Sequence, residues 1–273
     1  GGIRRVAEAS AEVVAAVAGM ALTDTENVII GTICGTADTT LLQSTNYWKN
    51  AKQQGLPFTL NPAVLYRGYT ANVVNNGFCV GSQFFLNGLV RKLLLRGEDR
   101  SMSDAEKIGC GFSAGALSGI VCGPIELVMI QQQRSGLSMG ATISEIVGGG
   151  ASSIFRGTLG MMAREGIYCG GYLGIMPVAR RKIRESNPYG LGATEDTARL
   201  AATFIAGPIC SFLSHPADTL KTCMQGDLYK KRFKGYGHTA GAPRPSAITN
   251  QPKFGAAEMS AAARRASRVR TIT

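Results

Sequence analysis

Three carboxylates stand at matching places in one repeated phrase, while the base that would neutralise each survives in a single copy. The phrases read Gly35-Thr36-Ala37-Asp38-Thr39-Thr40-Leu41, Gly123-Pro124-Ile125-Glu126-Leu127-Val128-Met129 and His215-Pro216-Ala217-Asp218-Thr219-Leu220-Lys221. An acid and a base three residues apart share one face of a helix. A proline inside the helix removes a hydrogen bond and kinks the rod. Helices kinked in this way can converge at one end of a cavity.

Other chemistries find little support. Seven cysteines lie almost all within apolar segments, without Cys-x-x-Cys spacing and with only two histidines, so neither a metal site nor a disulfide framework is expected. They read as small polarisable packing residues. No Ser/His/Asp set, paired-carboxylate site or phosphate-binding loop stands out, and the chain is not expected to be an enzyme or to hold a cofactor. The net charge of +11 would suit nucleic acid, but aromatic residues make up 7% and sit mostly inside apolar runs, which leaves no stacking face. The basic residues cluster instead at segment ends, as in Arg180, Arg181, Lys182 and Arg184, where anionic lipid head groups would meet them.

The elements that must position the acids are long helices. The three phrases recur at intervals of 88 and 92 residues, and self-similarity at such a period decides architecture before any local signal. Tyr66-Arg67-Gly68 and Phe155-Arg156-Gly157 follow the first two phrases at nearly equal distances, and each opens an apolar segment. In the third copy Phe233-Lys234-Gly235 arrives too early to be the same marker. No charge falls between Arg67 and Arg91, Lys107 and Glu126, or Arg199 and Asp218, each gap being close to the ~20 residues that cross a bilayer as helix. Two weaker candidates precede Leu41 and follow Glu165. Glycines recur every fourth residue at Gly77 and Gly81, at Gly115, Gly119 and Gly123, and at Gly166, Gly170 and Gly174, a spacing that stacks them on one face for close helix packing in lipid.

Pro216-Ala217-Asp218-Thr219-Leu220-Lys221, followed by Gln225, resembles the Pro-x-Asp/Glu-x-x-Lys/Arg signature of the mitochondrial carrier family, the three-repeat solute carriers of the mitochondrial inner membrane. The resemblance covers about residues 15 to 240. It implies an all-α, multi-pass membrane protein of three tandem αα repeats with short matrix-side surface helices, such as one around Ser144 to Gly148. The expected units are 1–100, 101–190 and an incomplete third repeat, 191–240, followed by a basic tail, 241–273.

By the same resemblance Asp38, Glu126 and Asp218 belong to a matrix-side gate in which each acid pairs with the base of the next repeat, braced by glutamines. With Leu41 and Met129 at two base positions, only Glu126 and Lys221 are expected to pair, and only Gln133 and Gln225 keep the brace. On the opposite side the bases Arg91 and Arg180 remain as gate remnants without their acids. Arg164 and Glu165, with Asn75 and Asn76 as their first-repeat equivalents, fall where the family places substrate contacts. Such an Arg-acid pair could hold the carboxylate and ammonium of a zwitterion, or could merely neutralise itself. The resemblance also implies bound cardiolipin at lipid-facing Tyr66-Arg67-Gly68 and Phe155-Arg156-Gly157, where free helix amides and an arginine suit phosphate.

The sixth span should begin near Thr249, but 249–273 carries four arginines, each costing ~3 kcal/mol at a membrane centre. Gly255 to Val269 reads better as a basic surface helix, leaving five spans and an open seam between the first and fifth. The other reading is that a genuine sixth span lies beyond the tail. Eroded gates, a missing span and an open seam lead to the expectation of a structural or accessory subunit in a larger inner-membrane, respiratory complex, with other subunits as partners and little transport. The alternative is an active carrier exchanging a small charged metabolite of amino-acid type.

Overall fold

The computed structural model of the chain describes residues 24–96, 98, 100–229 and 232–241, and among these it is helical without a strand. Helix α1 runs from Asp24 to Gln54, α2 from Pro62 to Leu65 and α3 from Tyr69 to Leu95. Helix α4 spans Asp104–Ser135, with α5 (Met139–Gly148) and α6 (Ala151–Ile154) behind it. A further long rod consists of α7 (Thr158–Cys169), a π-helical segment (Gly170–Ile175) and α8 (Met176–Ser186). Helix α9 spans Glu195–Gly226 and α10 spans Tyr236–Gly241. The order of long helix, short helices and long helix thus occurs twice, and α9 with α10 begins it again. The expected surface helix near Ser144 is α5. The projected sixth span and the basic helix of the tail lie outside the described residues.

Local sequence fixes where the rods start. Ser103 and Glu106 form a reciprocal capping box at α4, Thr194 and Thr197 do so at α9, and the acids of each first turn complement the helix dipole. The repeated Arg-Gly pair is a turn device. Gly68 and Gly157 precede α3 and α7 with φ of 75° and 79°, a left-handed conformation that glycine adopts without a Cβ penalty. Pro124 sits inside α4, and Pro208 and Pro216 inside α9, each withholding one backbone donor.

Glycine spacing predicts packing for two of the three sets. A Cβ at Gly119 would stand 2.7 Å from the Met162 Cα, and one at Gly115 would overlap the Glu165 carbonyl, so α4 and α7 touch backbone to backbone. Gly174 likewise lies against Ile108, and Gly166 and Gly170 against Phe112. Gly77 and Gly81 have nothing within 4 Å of such an atom, so the packing role expected for them is absent among the described residues. The six cysteines whose side chains are described are all buried and unbridged, as packing residues would be.

Helices α4 and α9, with hydropathies of 1.6 and 1.3 over their most apolar windows, are long and apolar enough to cross a membrane. They differ in cover, since 56% of that window is buried in α4 against 22% in α9, which turns Phe204 and Phe212 outward.

Candidate functional site

The second halves of α1, α4 and α9 converge, and there the polar residues of the repeated phrases are buried together. Lys221 is fully buried, and its Nζ lies 2.6 Å from Glu126 Oε1 and 3.2 Å from Asp218 Oδ1. The pairing of Glu126 with Lys221 is therefore present. The expectation that no other pair forms is corrected by two residues that reach in from other helices. Lys49 of α1 places its Nζ 3.2 Å from Asp218 Oδ2, and Gln53, one turn on, donates to the same oxygen at 2.9 Å. Arg164 of α7 approaches Glu126 at 3.1 Å and Asp218 at 3.5 Å and also pairs with Glu165. Three buried carboxylates thus face three cations. This is the arrangement a low-dielectric interior requires, because an unpaired buried charge is far costlier than a compensated one.

Carboxamides close the same end. Asn50 of α1 donates to Gln133 of α4 at 2.9 Å. Gln225 of α9 donates to the Gly123 carbonyl at 3.2 Å, and Gln131 donates back to the Gln225 carbonyl. Each seam among α1, α4 and α9 is bridged at this end, that between α1 and α9 by Lys49 and Gln53 on Asp218.

Above the cluster lies a cavity of about 210 Å³ between α1, α3, α4 and α7. Its wall is rich in carboxamides, among them Asn72, Asn75, Asn76 and Gln83, and carries Asp38, Arg164 and Glu165. Asn76 is anchored on α1 by 3.1 Å bonds to the Gly35 carbonyl and the Thr39 hydroxyl, whereas Asn75 is buried. Gln83 donates to Glu165 at 2.7 Å and accepts from the Tyr172 hydroxyl. Arg164 and Glu165 therefore meet the cavity already bound, Arg164 to three carboxylates. Asp38 is exposed and has no cation within 4.0 Å among the described residues. Its absent partner has an evident cause: Met129, at the base position that would face it, is buried with Ala71 and Ile130.

At the far end Arg91 is exposed, and Arg180 finds an acid that the spacing did not indicate, Glu195 in the first turn of α9, at 2.7 Å. Glu195 also pairs with Arg184, and Arg181 bridges to Asp104. These pairs are partly or fully exposed and each is worth at most ~1 kcal/mol.

The two aromatic-Arg-Gly turns diverge. Tyr66 and Arg67 are exposed, with the Arg67 guanidinium over Gly136 at the end of α4. Phe155 is also exposed, but Arg156 is only 4% exposed, which corrects its placement as lipid-facing. Its Nε donates to the Met224 carbonyl at 2.7 Å, another nitrogen donates to Phe233, and Asp227 lies 4.0 Å away. Burial pulls its pKa below the usual guanidinium range, with the Asp227 carboxylate opposing that shift. The Tyr236 hydroxyl accepts from the Leu159 and Gly160 amides, so the start of α7 is capped by the chain itself.

The site is thus a buried ionic cluster where three long helices meet, two of them proline-bearing, with a polar cavity beside it. No protein-family profile matches the chain. Among curated proteins it is similar to the mitochondrial carnitine carrier of Saccharomyces cerevisiae, 24% identical over 211 residues that cover 73% of this chain and 64% of the relative. The mitochondrial 2-oxodicarboxylate carrier 1 of the same yeast is 28% identical over 169 residues, 59% of this chain and 53% of the relative. The mitochondrial uncoupling protein 5 of Arabidopsis thaliana is 25% identical over 171 residues, 58% and 53%. The matched stretches span less than two thirds of these relatives' length. At this low identity the chain is related to mitochondrial carriers.

Lys49, Gln53 and Tyr172 escaped the sequence reading. A signal existed for the first two, since Lys49 is the first cation after Leu41 and stands one turn before Gln53. Nothing in the spacing indicated that Arg164 would reach two gate acids on other helices.

Proposed function

We propose that the chain is a working solute carrier whose matrix-side gate has been rebuilt from replacement cations. The observation that carries this reading is the compensated cluster of Glu126, Glu165 and Asp218 with Lys49, Arg164 and Lys221. The accessory-subunit expectation rested on eroded gates, a missing span and an open seam, and the cluster answers the first of these for the matrix-side gate. A static scaffold gains little from six ionised groups in its interior, because well-packed apolar residues of equal volume are as stable or more so. A gate needs pairs that can part into water and close again. In this state α1, α4 and α9 are locked together below the cavity, and solute enters from the opposite side. Tyr66 and Arg67 remain exposed beside Gly68, with Arg67 the residue to meet a cardiolipin phosphate. The site formed by Arg156 and Gly157 is taken by Met224, Phe233 and Tyr236.

The test is reconstitution of the full chain in liposomes with a panel of labelled amines, amino acids and dicarboxylates. Saturable uptake or exchange of any member supports the reading. Absence of uptake across the panel, with the native chain recovered in stoichiometric amount in a large inner-membrane complex, refutes it in favour of the accessory role.

A further inference from the structure

Among the described residues, the charges of the cavity wall and of the cluster beside it do not cancel. Glu126, Glu165 and Asp218 are matched by Lys49, Arg164 and Lys221, and Asp38 is left over. The imbalance has two causes: Met129 occupies the place of the base that would face Asp38, and Lys49, the one cation that α1 offers the cavity wall among the described residues, is committed to Asp218. Asp38 and Met129 both line the cavity, so the excess carboxylate belongs to its wall.

A second observation has the same sign. Asn75 lines the cavity, is only 7% exposed, and its carboxamide oxygen has no hydrogen-bond partner among the described residues. A buried acceptor without a donor carries the full cost of its lost hydration, so it gains most from a ligand that brings an N–H. The cationic groups that would recruit an anion are engaged: Arg164 by three carboxylates and Lys49 by Asp218. A dicarboxylate entering this cavity would meet an excess negative charge, with no free cation on its wall among the described residues to offset it.

The geometry points to a solute that presents an ammonium or guanidinium group, held by Asp38 with Asn75 as neutral acceptor, and to exclusion of dianions. The inference rests on the carrier reading for transport but not for binding. It replaces the zwitterion contact considered for Arg164 and Glu165, which serve the gate cluster and leave the recognition of charge to Asp38.

The experiment uses the full chain, with L-lysine and cadaverine as cationic probes and malate as the anionic one. Thermal unfolding in detergent is followed with each probe, and uptake is followed in liposomes. The expected result is stabilisation and uptake with the cationic probes and none with malate. Asp38→Asn should weaken probe binding by about 10- to 100-fold, the worth of one charge-assisted hydrogen bond. Asp38→Glu should retain most of it. Because Asp38 is exposed, both variants should melt with the wild type when no probe is present. Preference for malate, or cation binding unchanged in Asp38→Asn, overturns the inference while leaving the carrier reading intact. Stabilisation by lysine that depends on Asp38, without uptake of any solute, upholds the site and overturns the carrier reading instead.

Discussion

Replacing Lys221 with methionine removes the most deeply buried cation of the cluster while keeping nearly the same volume. Lys221 is fully buried and bonds Glu126 at 2.6 Å and Asp218 at 3.2 Å. After the change Glu126 keeps Arg164 at 3.1 Å and Asp218 keeps Lys49 at 3.2 Å, but three carboxylates then share two cations. Breaking a buried pair by removing one partner costs ~3–5 kcal/mol, and because Arg164 continues to hold Glu126 the lower end is expected, ~3 kcal/mol. For a chain of this size that lowers the melting temperature by ~6–12 °C. The second variant, Glu126→Gln with Lys221→Met, restores the balance of charge and should recover to within ~1 kcal/mol of wild type, since a buried pair is close to neutral against apolar or uncharged replacements. Unfolding can be read in detergent with a thiol-reactive fluorophore, because the six described cysteines are buried and become reactive only when the bundle opens. A single variant that melts within ~2 °C of wild type, or a double variant as unstable as the single one, would refute the account of the cluster.

Two further outcomes follow from packing and capping. Gly115→Ala should destabilise by ~1–3 kcal/mol by forcing α4 from the Glu165 carbonyl, whereas Gly81→Ala, with open space around the added atom, should be neutral or stabilising by up to ~1 kcal/mol; paired melting curves read the contrast. Arg156→Ala leaves the Met224 and Phe233 carbonyls without their charged donor and should cost ~1.5–3 kcal/mol, seen as faster limited proteolysis between α9 and α10 than in the wild type.

Much of the architecture was legible because it is written at short range. The repeated phrases, the uncharged gaps and the fourth-residue glycines mark long helices and their close faces, and helix ends follow from Ser103, Thr194, Gly68 and Gly157. The failures at Gly77 and Gly81 have one cause. Spacing tells which residues share a face, but not whether another helix covers that face.

The sequence placed Asp38, Glu126 and Asp218 at equivalent positions of a repeated phrase, and the family resemblance it carries paired Glu126 with Lys221. Only the tertiary structure decided the rest: Lys49 and Arg164 compensate the cluster, Arg156 turns inward, and Asp38 is the acid left over. The physical reason is reach. A lysine or arginine side chain can cross from one helix to the next, so which carboxylate it neutralises depends on how rods pack in three dimensions and not on its distance along the chain.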